Sequence, residues 1–198
     1  MMRTSPPSAA AAALMIAAFI GGAAVASTLT TEVIVSVPDQ ALAVIDHGKL
    51  IARYPISTSK FGLGDGAGSY RTPLGILFVS GKFGDHLPPG AVIKRRVATG
   101  ELVDPNAPGR DAIVTRVIWL RGKEEQNRGA HERCIYIHGT PEERRIGKPV
   151  SFGCIRMRSK DVIALYDRVH IGMHVTITQM RIADFIPPEE PSLLARSD

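Results

Sequence analysis

Two segments decide the fold of this 198-residue chain: Ile135-Tyr136-Ile137-His138-Gly139-Thr140 and, after ten further residues, Ser151-Phe152-Gly153-Cys154-Ile155-Arg156-Met157. The first is rich in β-branched and aromatic side chains, which favour strands. His138 ends the first predicted strand, and Cys154 precedes the second. A thiolate is the nucleophile of thiol acyl transfer and needs a base beside it. The two segments therefore predict an acyl-transfer site with Cys154 as nucleophile and His138 as base.

The context of these two residues favours chemistry over packing. A lone cysteine in an apolar run is usually a core residue. Here, however, the polar connection 141–148 can fold back and set the two segments side by side. Gly153 lets a carbonyl substrate approach the backbone and lets N–H groups face it. Cys134, His138 and Cys154 are also metal-ligand types, but their spacing matches no structural zinc pattern, so no metal is predicted.

The motif resembles that of the L,D-transpeptidases of the YkuD type, which remodel bacterial peptidoglycan. The matching positions are His138-Gly139, Ser151, Gly153, Cys154 and Arg156, and Phe152 stands where that family usually has a second histidine. Further similar segments are Tyr54-Pro55-Ile56-Ser57-Thr58 and Thr72-Pro73-Leu74-Gly75. The resemblance covers residues 32–178, nearly the whole chain after its N-terminal segment.

The resemblance implies a fold and a reaction. The fold is a mostly β domain, a β-sandwich or flattened barrel, with the cysteine at one end of the sheet. The reaction is peptidoglycan L,D-transpeptidation without metal or cofactor. An acyl group passes from a tetrapeptide stem to Cys154 and then to an amine of a second stem, a free D-amino acid or a wall-anchored lipoprotein. Two alternatives remain: an L,D-carboxypeptidase or wall-lipoprotein hydrolase on the same scaffold, and a non-catalytic cell-wall-binding protein that lost activity through Phe152.

Residues around the cysteine receive supporting roles. In the family, a backbone carbonyl, here that of Gly139, fixes the histidine tautomer. The N–H groups of Gly153 and Cys154 are candidates for holding the oxyanion, with Phe152 as a further one. Arg156 shares a strand face with Cys154 and is predicted to bind a substrate carboxylate, against the alternative of an ordinary surface arginine. Ser151 is predicted to orient the turn, and Phe152 to shape the acyl pocket.

Most of the remaining chain has the pattern of strands. Residues 40–45 and 50–56 predict a hairpin around Asp46-His47-Gly48-Lys49. Apolar runs at 74–80 and 112–120 predict further strands, and 81–110, rich in Gly, Pro and Asp, predicts a long loop. One helix is predicted from a capping Ser159 to Gly172. The fold class is therefore mostly β with a packed helix.

The two ends of the chain are predicted to lie outside the domain. Arg3, the alanine-rich run 9–24 and Ala24-Val25-Ala26 predict a signal peptide over 1–26, and hence a periplasmic or cell-envelope location. An uncleaved membrane anchor is the alternative. The catalytic domain is assigned to 27–180, and the Pro-rich 181–198 to a tail with little order. The chain has a net charge of +5, but no aromatic residues interleave with its clusters of basic residues to stack on bases. No nucleic-acid partner is therefore predicted.

Besides Cys154, the chain has one other cysteine, Cys134. If a strand runs from Cys134 to His138, the two lie about 13 Å apart along it. Cys134 is therefore predicted to lie away from Cys154, as a small core residue. A regulatory disulfide between the two is the alternative.

Overall fold

The computed structural model describes residues 31–187, so the predicted signal peptide lies outside it. Ten strands and one α-helix, α1 (Ser159–Tyr166), make up most of this region. The strands are β1 Thr31–Ser36, β2 Ala41–Asp46, β3 Lys49–Pro55, β4 Gly75–Phe83, β5 Ala91–Lys94, β6 Val97–Leu102, β7 Val114–Gly122, β8 Tyr136–Gly139, β9 Ile155–Met157 and β10 His174–Thr178. Short 3-10 helices cover Glu125–Ala130, Glu143–Arg145 and Ile182–Phe185. The predicted mostly β fold with one packed helix is confirmed.

The strands form one open, mixed sheet. Its main path runs β3-β2-β1-β10-β4-β7-β5-β6, and β8 branches from β7 to carry β9. The β1–β10 and β8–β9 pairs are parallel, whereas the pairs along the rest of the path are antiparallel. The branch at β7 places the His138 strand and the Cys154 segment side by side.

The predicted hairpin at the start of the domain is confirmed as β2 and β3, joined through His47 and Gly48. The main core lies on one face of the sheet, under α1. Val162 and Leu165 of α1 are fully buried in it, together with Ile137 of β8 and Ile155 of β9. Burying a side chain of this size contributes about 1.5–3 kcal/mol. The two strands that frame the site are thus fixed from below by the core.

The helix differs from its prediction at both ends. Arg158 is the N-cap residue, and Ser159 is the first helical residue without a capping hydrogen bond. The Ser159 hydroxyl instead lies 2.9 Å from the Thr115 hydroxyl of β7, and both groups are buried. At the other end α1 stops at Tyr166, six residues before Gly172. Ser159 does not cap the helix as predicted, because its hydroxyl is hydrogen-bonded to Thr115 of β7.

Two further predictions about organisation are wrong. The segment 81–110 is not a continuous loop, since β4 extends to Phe83 and β5 pairs with β6 as a hairpin. The predicted tail also begins too early, because Ile182–Phe185 is a 3-10 helix whose Ile182 is buried against Ile34 and Ile45. The rest of the predicted tail, 188–198, lies outside the described residues. Within 31–187, no helix is long and apolar enough to cross a membrane.

Candidate active site

His138 lies where β8 is held between two other strands. It pairs with Val117 of β7 on one side and with Arg156 of β9 on the other. The next residue, Gly139, must be glycine for steric reasons, because a Cβ there would lie 2.5 Å from the Val114 carbonyl oxygen. The tight approach of β7 to β8 therefore fixes the backbone that carries the histidine.

His138, Arg156 and Cys154 lie on the same side of the sheet. Ile155 and Met157 belong to the main core, so the alternating Arg156 points to the opposite face. Cys154 packs against a second cluster that contains Val117 and Tyr136, and Val117 is the register partner of His138. The shared face of Cys154 and Arg156 agrees with strand alternation.

The turn that presents Cys154 is held by Ser151. The Ser151 hydroxyl donates to the Cys154 carbonyl at 2.6 Å and accepts from the Gly153 N–H at 3.2 Å. Gly153 has φ +118°, a conformation that favours glycine, and a Cβ there would lie 3.3 Å from the Arg71 carbonyl oxygen. Ser151 thus organises the turn, and one of the predicted oxyanion donors, Gly153 N–H, already has an intramolecular acceptor.

The thiol of Cys154 contacts backbone atoms near the start of β8. Its sulfur accepts from the Tyr136 N–H and donates to the Cys134 carbonyl, at 3.4 Å each. None of the hydrogen bonds found over residues 31–187 joins this sulfur to His138. The Cys154 thiol is thus directed toward Cys134, and His138 lies farther along β8.

The prediction for Cys134 is wrong in its geometry. The strand begins at Tyr136, and Cys134 lies in the preceding turn with φ 56°. This turn brings the Cys134 carbonyl onto the Cys154 thiol and leaves Cys134 half-buried at the edge of a cluster. Both cysteines are free thiols. The alternation used for the prediction fails because it assumed one strand continuing back through residue 134.

The ring of His138 is buried and oriented by its own strand. Its Nδ1 lies 2.8 Å from the Gly139 carbonyl oxygen. Burial, helped by the positive charge of Arg156 and opposed by the hydrogen bond to the Gly139 carbonyl, lowers the pKa of His138 to about 4. The imidazole is therefore neutral at pH 7, so Nδ1 carries the proton and donates to Gly139. Nε2 then has a lone pair and is the atom that can accept a proton.

The thiol of Cys154 is also neutral at rest. Burial raises its pKa to about 11, while the Tyr136 N–H and the charge of Arg156 act in the opposite direction. A thiol that needs a base to become nucleophilic thus lies on the same sheet face as a neutral histidine that can act as one. Arg156 favours the neutral imidazole, but at Cys154 its charge favours the thiolate and so assists deprotonation of the thiol.

Arg156 is not the exposed residue that a surface alternative requires. It is buried, and its guanidinium contacts Asp111 Oδ2 at 2.6 Å and Glu142 Oε2 at 2.9 Å. Burial raises the pKa of Asp111, and Arg156 opposes this rise. Two carboxylates of the chain itself thus occupy the guanidinium that the sequence interpretation assigned to a substrate. Neither Asp111 nor Glu142 could be found from the sequence, because no local pattern links them to the cysteine.

Three upstream residues hold the cysteine turn and were not assigned a role from the sequence. Ser57 exchanges two 2.9 Å backbone hydrogen bonds with Arg156, and the backbone of Ser59 forms a bridge to Ser151. The buried Thr72 hydroxyl donates to the Gly153 carbonyl at 2.9 Å. All three lie in or next to the two upstream segments that resemble the family. That resemblance is the sequence signal by which they could have been found.

The chain is similar to known proteins. The family model of the YkuD L,D-transpeptidase catalytic domain matches residues 30–177. That range includes every strand described above except the last residue of β10 and contains both His138 and Cys154. The chain belongs to the L,D-transpeptidase catalytic-domain family. The resemblance drawn from the sequence motif is therefore confirmed.

Individual relatives match parts of the chain. YqjB of Bacillus subtilis, provisionally named an L,D-transpeptidase, is 38% identical over 72 residues, which are 36% of this chain and 41% of that protein. YkuD of the same organism, also provisionally named, is 56% identical over 43 residues, 22% of this chain and 26% of that protein. The chain thus spans less than half of these relatives.

Solved L,D-transpeptidases share the fold. A structure of an L,D-transpeptidase from Xylanimonas cellulosilytica superposes with a TM-score of 0.50 at 19% identity, covering 77% of this chain and 62% of that one. At this identity the match concerns the fold alone. Against the family motif, this L,D-transpeptidase-type domain keeps His138, Ser151, Gly153, Cys154 and Arg156 and departs from it at Phe152.

Proposed function

We propose that the protein is a peptidoglycan L,D-transpeptidase acting through Cys154. The observation that carries the proposal is the oriented, neutral His138, whose free Nε2 lies on the same sheet face as a protonated cysteine. Neither residue is charged at rest, so the Cys154 thiol becomes a nucleophile only when it passes its proton to His138. We expect this step to coincide with substrate binding. The reaction takes place where peptidoglycan lies, in the periplasm or cell envelope. The substrates are peptidoglycan stem peptides.

The first half-reaction acylates the cysteine. The thiol leaves the Cys134 carbonyl, and Nε2 of His138 takes its proton. The thiolate sulfur attacks the carbonyl carbon of the diamino-acid residue in a tetrapeptide stem. The oxyanion is stabilised by the Cys154 N–H, joined by Gly153 N–H once Ser151 releases it. The C–N bond then breaks, the terminal D-amino acid leaves with the proton from His138, and a thioester remains on Cys154.

The second half-reaction releases the acyl group. An acceptor amine, from a second stem, a free D-amino acid or a wall-anchored lipoprotein, loses a proton to His138 and attacks the thioester. The C–S bond breaks, an amide forms, and the thiol recovers its proton. With water as acceptor the same steps give an L,D-carboxypeptidase or a wall-lipoprotein hydrolase. No step uses a metal or an organic cofactor.

Phe152 supports the choice of base. A phenyl ring can neither accept a proton nor donate a strong hydrogen bond, so any base work falls to His138. The rival function, a cell-wall-binding protein without activity, follows if the histidine that the family usually has at position 152 is indispensable for catalysis. The two functions differ in one outcome: replacing Phe152 with histidine changes an active enzyme only modestly but switches on an inactive binder.

The test is covalent trapping followed by turnover. A carbapenem should add to the wild-type protein and to Cys134→Ala, but not to Cys154→Ala, as measured by intact-mass spectrometry. His138→Ala should fold and lose most of the acylation rate. An adduct on Cys134 would overturn the assignment of the nucleophile. Incubation with a tetrapeptide stem should then release the terminal D-amino acid, and product masses with and without an added amine distinguish transfer from hydrolysis.

A further inference from the structure

Three exposed aromatic rings lie beside the cysteine turn. Phe61, Tyr70 and Phe152 are 44%, 57% and 49% exposed, and their ring centroids lie 5.7–6.0 Å apart. Within residues 31–187 they are the aromatic side chains more than a third exposed, and all three belong to this one group, called here the aromatic platform. Exposed aromatic residues that cluster, although far apart in sequence, indicate a binding surface.

The platform is a rigid part of the site. The Ser59 hydroxyl donates to the Tyr70 carbonyl at 2.5 Å and accepts from the Phe61 N–H at 3.0 Å. The Lys60 N–H donates to the Ser151 carbonyl at 3.1 Å, next to Phe152. Since Ser59 itself is buried, these bonds are sheltered from water. The backbone beneath the rings is therefore fixed relative to the nucleophile, as a recognition surface requires.

One cation on the platform has no carboxylate partner. The Lys60 ammonium lies 4.3 Å from the ring centroid of Phe152 and 5.1 Å from that of Phe61. It forms no salt bridge with the residues at 31–187, whereas Arg156, whose guanidinium carbon lies 5.9 Å from the ring centroid of Phe152, forms two. Lys60 also lines a groove with Val37, Pro38, Leu63 and Pro149, so the surface continues beyond it. The surface thus combines apolar area with one available positive charge.

We propose that the aromatic platform and Lys60 bind an acidic peptide segment of the substrate, away from the scissile bond. This rests on the proposed function and deepens it by naming how the stem is held. The aliphatic groups of the peptide pack on the three rings, and one of its carboxylates pairs with the Lys60 ammonium. Phe152 belongs to the turn that presents Cys154, two residues before it, so a segment held there lies next to the nucleophile.

The charge pattern selects an anionic occupant. Three tilted rings could also enclose an ammonium group. In this protein, however, Lys60 already places an ammonium over two of the rings. A second cation would meet repulsion, whereas a carboxylate meets an unpaired charge. The residue that replaces the usual histidine of the family thus completes a site for an acidic peptide.

The test is equilibrium binding to the full chain carrying Cys154→Ala, which cannot turn over. Two synthetic tetrapeptide stems serve as probes. One has free carboxyl groups, and in the other the carboxyl groups that lie away from the scissile bond are amidated. Adding Lys60→Met should weaken binding of the free acid about fivefold and leave the amidated stem unchanged. Adding Phe61→Ala should weaken both stems, about three- to tenfold. Lys94→Met and Ile171→Ala, which change exposed residues away from the platform, should change neither.

Other outcomes overturn the inference. Equal losses on both stems for Lys60→Met would mean that the lysine does not recognise a carboxylate, and tighter binding would identify the platform as an ammonium cage. Platform dependence that appears only when the stem carries its disaccharide would assign the rings to the glycan. If the wild-type protein transfers the stem and the variants match it, the inference alone fails. If the wild-type protein neither binds nor cleaves either stem, although iodoacetamide alkylates Cys154 normally, the proposed function fails with it.

Discussion

Replacing Arg156 with methionine tests whether the guanidinium holds the site together or waits for a substrate. The side chain is buried and joined to Asp111 and Glu142 at 2.6 and 2.9 Å. Arg156→Met keeps most of the volume and leaves both carboxylates without this partner. We therefore expect a loss of folding stability that is independent of any substrate.

The magnitude follows from the exposure of the partners. Removing one partner of a buried ion pair costs about 3–5 kcal/mol, whereas exposed pairs contribute about 1 kcal/mol or less. Asp111 is 38% exposed and Glu142 is 24% exposed, so water recovers part of their solvation. Glu142 also keeps Arg145, at 3.0 Å. We expect Arg156→Met to lower the free energy of unfolding by about 2–3 kcal/mol.

The assay is urea unfolding at pH 7, followed by the fluorescence of Trp119, the one tryptophan in the chain. Asp111→Asn and the double variant complete a cycle, and we expect a coupling energy of about 1 kcal/mol or more between Arg156 and Asp111. Arg156→Lys should recover part of the loss, because an ammonium cannot contact both carboxylates with the guanidinium geometry. A loss of less than about 0.5 kcal/mol in the free energy of unfolding for Arg156→Met, with no coupling to Asp111, would refute the reasoning. Arg156 would then again be a candidate for binding a substrate carboxylate.

Three other results are expected. The pKa of His138 is about 4 in the folded protein and about 6.5 in the unfolded protein. Its contribution to the free energy of unfolding should therefore be fully present above pH 6.5 and fall by up to about 3 kcal/mol as the pH is lowered to 4. His138→Gln should reduce this pH dependence, as measured by urea titrations. Alkylation of Cys154 by iodoacetamide should accelerate about tenfold per pH unit between pH 7 and 9, since its pKa is about 11, and a plateau in that range would contradict the burial of the thiol. Thr72→Val should lower the free energy of unfolding by about 2–4 kcal/mol, because the Gly153 carbonyl and the Ser59 N–H both lose the buried hydroxyl, whereas Thr72→Ser should lose less than about 1 kcal/mol. Equal effects of Val and Ser in denaturant unfolding would contradict this.

The parts of the fold that sequence could predict are those with a local pattern. The β2–β3 hairpin has apolar runs on both sides of a turn of Asp, His and Gly, and β8 and β9 are short buried strands next to the motif residues, each containing an isoleucine. The β5–β6 hairpin could not be predicted, because β6 is exposed along its whole length and so lacks an apolar face. Gly, Pro and Asp around it suggested a loop instead.

The candidate site shows the same division. His138 and Cys154 follow from residue type and spacing, which the family motif reinforces. The partners of Arg156 lie 14 and 45 residues away, and those distances carry no periodic signal. The position of Cys134 depends on a left-handed turn at a non-glycine residue, which sequence patterns rarely indicate. Long-range pairing and unusual backbone geometry thus account for what the sequence could not predict.

The position of β10 has a consequence for how the domain is made. This last strand lies between β1 and β4, so it joins the first three strands to the rest of the sheet. A ribosome releases the N-terminal end first, at about 5–20 residues per second. Until residue 178 has emerged, the two parts of the sheet present unpaired edges, and pairing over such sequence separations is slow. The nascent domain therefore keeps those edges unpaired until β10 has emerged.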